Sequence, residues 1–200
     1  MLKILEYKLF SAQQLVLIIE EMNVEEGTFV HIEGGNSLGK SLFLKSLCGQ
    51  YKNFMGKLLY RKKRLSDNNV LMIGGSLPVV ENMSFLDNIQ IPLGKVNTIQ
   101  RNRLIEMATI LGVVDLLNTE MKYSSRSERV LMYLIRASLI SPNILLIDDF
   151  DTLFDEKRYD KVCQFIQYCL KSGMMVITTG KFAIDNVPNY LINKGEMKKA

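Results

Sequence analysis

The run TFVHIEGGNSLGKSLFL, residues 28–44, constrains the fold more than any other stretch of the chain. An apolar segment that reads as a strand enters a glycine-bearing loop, and a helical pattern begins near Lys40. Gly34, Gly39, Lys40 and Ser41 fit the pattern G-x-x-x-x-G-K-[ST]. Glycines at these positions let the backbone curl until successive N–H groups point inward, and the positive end of the following helix is aimed at the same place. The device suits the phosphates of a nucleotide. Lys40 is expected to reach the β and γ phosphates and the Ser41 hydroxyl to ligate magnesium, with Asn36 and Leu42 completing the phosphate-binding set.

A phosphate loop needs a sheet to stand on, and the rest of the chain supplies one. Apolar runs at 15–19, 28–33, 70–73, 144–148 and 174–178 predict strands, several buried on both faces. Apolar residues recurring at three and four predict helices over 40–49, 98–112, 126–140 and 155–171. Alternating strands and helices imply an α/β fold with a mostly parallel sheet. Helical segments 84–91 and 98–112 follow each other with no strand between, so a helical insertion is expected at about 80–125, with 113–125 connecting two subdomains. With 200 residues and 48% hydrophobic content, one domain spanning 1–200 is expected.

Magnesium on such a loop needs a carboxylate opposite, at the end of an apolar strand. NILLIDDF, residues 143–150, offers Asp148 as the metal ligand, and Asp149 follows where a catalytic carboxylate would polarise water. Other chemistry is less supported. Cys48, Cys163 and Cys169 form no CxxC pair, which argues against zinc or a disulfide framework and for a reducing cytoplasm. The net charge of +4 on a chain with 25 basic and 21 acidic residues calls for no nucleic acid. YRKKRL, residues 60–65, reads as a solvated turn. No apolar run approaches the roughly 18 residues of a membrane span, so any membrane contact is expected to go through a partner.

The order and spacing of these pieces resemble the nucleotide-binding domain of ABC ATPases over essentially the whole chain. DDFDTLFD, residues 148–155, lies over that family's D-E-P-T-S-A-L-D, which places Asp155 on the loop that crosses between subunits. Arg136 matches the arginine in the helix after the family's signature, SSRSE at 124–128 lies over L-S-G-G-Q, and MSFLDNIQIPL at 83–93 resembles the TVxEN helix. YLINKGEM looks like the closing strand and turn. The resemblance implies a P-loop NTPase of ABC type with a small antiparallel part, and a homodimer closing on two ATP molecules. It implies that Ser125 touches the opposite subunit's nucleotide and that Tyr7 or Phe10 stacks on adenine. It also implies a cytoplasmic subunit docked on an integral membrane protein, either a transporter permease or an FtsX-like partner. The short chain and the MSFLDNI segment most resemble the group holding the cell-division ATPase FtsE and the lipoprotein and haem exporters.

Four positions depart from the pattern. Asp149 stands where the family has glutamate, Gly180 where it has the switch histidine, and Gly75 or Ser76 where it has glutamine. Arg126 and Ser127 replace the two signature glycines; Arg126 reads either as solvated or as a guanidinium on the opposite subunit's terminal phosphate, the first being favoured, and Ser125 with Glu128 reads as a capping box. The one histidine, His31, is expected in the strand before the loop as a core or edge residue. Nucleotide binding is therefore expected to survive and hydrolysis to be weakened or lost, with gain only on restoring Asp149→Glu and Gly180→His together. An active exporter ATPase, a P-loop small-molecule kinase and a non-enzymatic scaffold are the alternatives. The apolar face of MSFLDNIQIPL, with Phe85 and Leu86, is the expected docking surface.

Overall fold

The computed structural model describes every residue except 66–69 and 155, and at 156 and 157 the backbone alone. The chain runs β1 (Leu2–Ser11), β2 (Gln14–Val24), β3 (Phe29–Glu33), α1 (Lys40–Leu47), β4 (Phe54–Tyr60), β5 (Lys63–Arg64) and β6 (Val70–Ile73). It continues through α2 (Phe85–Gln90), α3 (Thr98–Leu111), α4 (Arg126–Ile140), β7 (Ile144–Ile147), α5 (Glu156–Lys171), β8 (Met175–Gly180), β9 (Asn189–Asn193) and β10 (Glu196–Lys199). All strands join one sheet in the order β5-β4-β1-β2-β10-β9-β3-β8-β7-β6. From β9 to β6 every neighbour is parallel. β9 turns back on β10, and β2, β1, β4 and β5 pair antiparallel.

The parallel strands are apolar throughout because both faces are covered. On β7, Leu145 and Ile147 face one core while Ile144 and Leu146 face another, as the period of two requires. The first core lies under α2 to α5; the second joins α1 to the antiparallel strands. Segment 113–125 buries Val113, Leu117 and Met121 in the first core beside α4 and α5, so it is packed structure rather than a connector between subdomains.

The two longest strands, β1 with 10 residues and β2 with 11, belong to the antiparallel part. The apolar run at 15–19 covers only the middle of β2, and no apolar run marks β1. In β1 the buried residues are Leu2, Ile4, Tyr7 and Leu9. Glu6, at φ 50, inserts an extra step that shifts the alternation mid-strand and hides the period. YRKKRL forms a hairpin turn: Tyr60 pairs with Lys63 across Arg61 and Lys62, both at positive φ. Arg61 ties down on Glu26 at 2.6 Å.

The expected docking surface needs correction. Ser84 caps α2 in a capping box, and the short helix turns Phe85 inward, 1% exposed, with Leu86 packed against the same core. The exposed apolar residues of this region are Val80, Ile91 and Ile99. Among the described residues, no helix is long and apolar enough to cross a membrane.

Candidate functional site

The loop between β3 and α1 is built around Gly39, which caps the helix at φ 84. A Cβ there would lie 2.9 Å from Val16 Cγ1, so glycine is required twice over, by conformation and by room. α1 then places Lys40 with its side chain buried, and its ammonium donates to the carbonyls of Gly34 at 2.5 Å and Gly35 at 2.7 Å. A cation held on two neutral carbonyls of its own loop is poised to exchange them for an anion. Ser11, Ala12, Gln14, Val16, the stretch Asn36–Leu42 and Asp149 line a cleft of about 610 Å³. Gly34 lies beneath it, its N–H donating to Gly180 O at 3.2 Å.

Across the cleft, Asp148 directly follows β7, and its N–H donates to Ile73 O of β6 at 2.8 Å. The buried Thr179 hydroxyl donates to Asp148 Oδ1 at 2.6 Å and accepts from the Asp149 N–H at 3.0 Å. One hydroxyl from β8 thus orients both acidic residues. Asp149, at φ 51, is exposed. Burial of its carboxyl raises its proton affinity, Asp148 and Asp151 add to the rise, and Lys40 and Arg126 oppose it. Magnesium ATP fits these donors: loop amides and Lys40 would hold phosphate, and Ser41 and Asp148 would hold the metal. No cluster of three His, Cys, Asp or Glu is assembled among the described residues, so phosphate and water would supply the remaining ligands.

Gly180 is surrounded, not open. A Cβ there would meet His31 Cε1 at 2.9 Å, His31 Nε2 at 3.0 Å and Asp151 Cγ at 3.1 Å. His31, fully buried on β3, has both ring nitrogens engaged: Nε2 with Phe182 O at 2.9 Å and Nδ1 with Thr178 Oγ1 at 2.7 Å. A carbonyl only accepts, so Nε2 carries the proton and Nδ1 accepts from the threonine. Asp151 Oδ2 accepts from Lys181 N at 2.7 Å. The neighbouring strand's imidazole thus occupies the room a side chain at 180 needs, and the expected gain from Gly180→His is withdrawn.

Ser125 caps α4 and exchanges hydrogen bonds with Glu128 in the anticipated capping box. It stands apart from the cleft around Lys40. Ser127 and Glu128 are both bound by Arg158 of α5. Arg136 donates to Asn88 O, and the buried Asn88 side chain holds Val80, Met83 and Ser84, so this arginine joins α4 to α2. Of the two aromatics considered for adenine, Tyr7 is core: fully buried, bonded to Ser46 at 2.6 Å and stacked on Phe54. Phe10, half-buried, adjoins Ser11 and Ala12 of the cleft wall. Asp155 lies outside the described residues. Thr179 and the β1–β2 turn were not found from sequence; a threonine pair closing an apolar strand was the available signal for the first.

A loop of this form on a mixed sheet, facing an acidic strand end, defines a P-loop nucleotide-binding domain. The ABC transporter family model matches residues 20–151, and the chain belongs to that family, as an ATP-binding subunit. Its membership sets aside the small-molecule kinase. The chain is 25% identical to a tyrosine transport ATP-binding protein of Clostridioides difficile, over 88% of this chain and 80% of that protein. It is 28% identical to the zinc import ATP-binding protein ZnuC of Ehrlichia ruminantium, over 84% and 68%. The fold matches the solved structure of cbiO1 from Clostridium perfringens, part of the cbiONQ transporter complex, with a TM-score of 0.81 at 17% identity, covering 98% of this chain and 86% of that one.

Proposed function

We propose that the chain holds magnesium ATP firmly, turns it over slowly, and acts from the cytoplasmic face on a membrane partner, pairing with a second copy when ATP binds. The observation that supports this reading is the asymmetry of the cleft. Its phosphate and metal side keeps Lys40 on the loop carbonyls, Ser41 in the cleft wall and Asp148 held by Thr179. Its water side is poorer: Gly180 has no side-chain donor, the imidazole beside it spends both nitrogens inside the protein, and Gly75 offers no amide side chain. Asp149 is the remaining group to orient water, one methylene shorter than glutamate, and a misplacement near 1 Å costs on the order of a hundredfold.

The relatives named for tyrosine transport and zinc import support a transporter permease as the membrane partner. The MSFLDNI segment supports an FtsX-like regulatory partner in cell division as the other form of the same proposal. Exposed Val80, Ile91 and Ile99 offer the docking face. Calorimetry with magnesium ATP on wild type and Lys40→Ala, followed by phosphate release with and without membranes, tests the reading. Equal affinity in the two forms removes the loop assignment. Turnover well above about 1 per second that Asp149→Asn eliminates removes the slow-hydrolysis assignment.

A further inference from the structure

The stretch 34–65 holds eight Lys and Arg and no Asp or Glu. The remaining 17 of the 25 basic residues stand against all 21 acidic ones, so a chain of formal charge +4 carries +8 in this stretch and −4 elsewhere. Two of the eight are spent: Lys40 on the phosphate loop and Arg61 on Glu26 at 2.6 Å. Lys52 after α1, Lys57 on β4 and Arg64 on β5 are exposed and line one cavity of about 740 Å³. Among the described residues they make no side-chain hydrogen bond or ion pair, and no acidic side chain lines the cavity with them. The cavity shares no lining residue with the cleft around Lys40. Its inner wall is apolar and fixed. Leu47 and Leu58 are buried, the Tyr51 hydroxyl donates to Phe10 O at 2.5 Å, and Phe54 stacks on the buried Tyr7 with ring centroids 5.2 Å apart. Met55, between two lining residues, is 65% exposed and pairs with exposed Lys8 of β1.

We propose that this cavity receives the phosphate headgroup of an anionic membrane lipid, with Lys52, Lys57 and Arg64 on the phosphate and Tyr51 and Phe54 against the first carbons of the lipid's apolar part. Like charges gathered on one cavity repel, and an anion between them removes that cost. Cations around an apolar wall suit an amphiphile, whose charge stays at the rim while its hydrocarbon covers the wall. A lipid is favoured over a nucleic acid because the cations ring one cavity instead of tracking a backbone along a groove. Each cation near an anionic bilayer contributes roughly fivefold to partitioning, so the three together amount to on the order of a hundredfold. The inference adds a direct lipid contact to the membrane-partner reading and uses nothing of the nucleotide site.

The test is flotation of the purified chain with protein-free vesicles, of phosphatidylcholine alone and of phosphatidylcholine mixed with phosphatidylglycerol. Wild type is compared with the triple variant Lys52→Gln, Lys57→Gln, Arg64→Gln, and with a charge-matched variant, Lys171→Gln, Lys194→Gln, Lys199→Gln, that removes three exposed cations elsewhere. Each is checked for folding by circular dichroism and thermal melting. Wild type is expected on the phosphatidylglycerol vesicles and not on phosphatidylcholine alone, less so as sodium chloride is raised. The cavity variant should lose on the order of a hundredfold in partitioning, and the charge-matched variant should keep most of it. Equal binding to the two kinds of vesicle, or an equal loss in the two triple variants, overturns the proposal. So does binding of inorganic phosphate or of a single-stranded oligonucleotide through the same three residues without binding of vesicles. Failure on protein-free vesicles strikes this inference alone, because docking on a membrane protein needs no lipid site in this chain.

Discussion

Substituting Gly180 by alanine adds one methyl group to a place with no room for it. The new carbon would sit 2.9 to 3.1 Å from two atoms of the His31 ring and from the Asp151 carboxyl carbon, against about 3.5 to 4.0 Å for relaxed contacts. Neither neighbour yields cheaply. The imidazole is buried and held at both nitrogens, and Asp151 is anchored on the Lys181 N–H. Overpacking of this kind costs about 1–3 kcal/mol. A ring displaced far enough to lose its bond to Phe182 O adds about 1–3 kcal/mol for a buried unpaired group. We expect a loss of about 2–6 kcal/mol, and a melting temperature lower by about 4–24 °C for a chain of this size. Urea denaturation of Gly180→Ala, His31→Ala and the double variant forms a cycle. The double variant should be less destabilised than the two singles summed, by at least about 1 kcal/mol. Wild-type stability in Gly180→Ala, or strict additivity in the cycle, would refute the packing argument and reopen position 180 to a histidine.

Three further outcomes are expected. His31 is shifted below its ordinary value, by burial first of all, so its neutral form is the folded one. The unfolded chain then binds more protons at acid pH, and stability should fall as pH drops below about 6.5 in wild type but not by that component in His31→Gln, as denaturation at stepped pH will show. Ala12 and Gln13, both at positive φ, form the two-residue turn between the paired Ser11 and Gln14; replacing them by Asn-Gly should stabilise by about 1 kcal/mol in thermal melts. Phe85→Ser should unfold the helical side, by about 3 kcal/mol or more, whereas Ile91→Ser with Ile99→Ser should leave the melt unchanged and reduce co-sedimentation with membranes.

Much of this fold could be read because its signals are local. The parallel strands are short, buried on both faces and bounded by turn residues, so β6 and β7 appear as uninterrupted apolar runs. α4 carries its own start signal in Ser125 and Glu128, and the loop's glycines and lysine stand at fixed offsets. What stayed hidden depends on pairing. β1 is defined by partners on two sides and a bulge at Glu6, and its charged residues break the apolar pattern. The fate of Phe85 was decided by which way a short capped helix faces, a matter of packing. Position 180 looked like a simple loss until His31, 149 positions earlier, was seen to occupy the same space.

The helical side is also a train of linkages. Asn88 grips the turn that carries Val80, Arg136 grips Asn88 from the middle of α4, and Arg158 grips the beginning of α4 from α5. A force applied at Val80 therefore reaches α5 through three polar joints in series, without passing through the sheet. In a series of joints the softest sets the compliance, and here that is the part-exposed Arg158–Glu128 pair, the one most weakened by salt. Ionic strength thereby becomes a mechanical variable: raising it loosens α4 from α5 while leaving the buried Asn88 anchor taut.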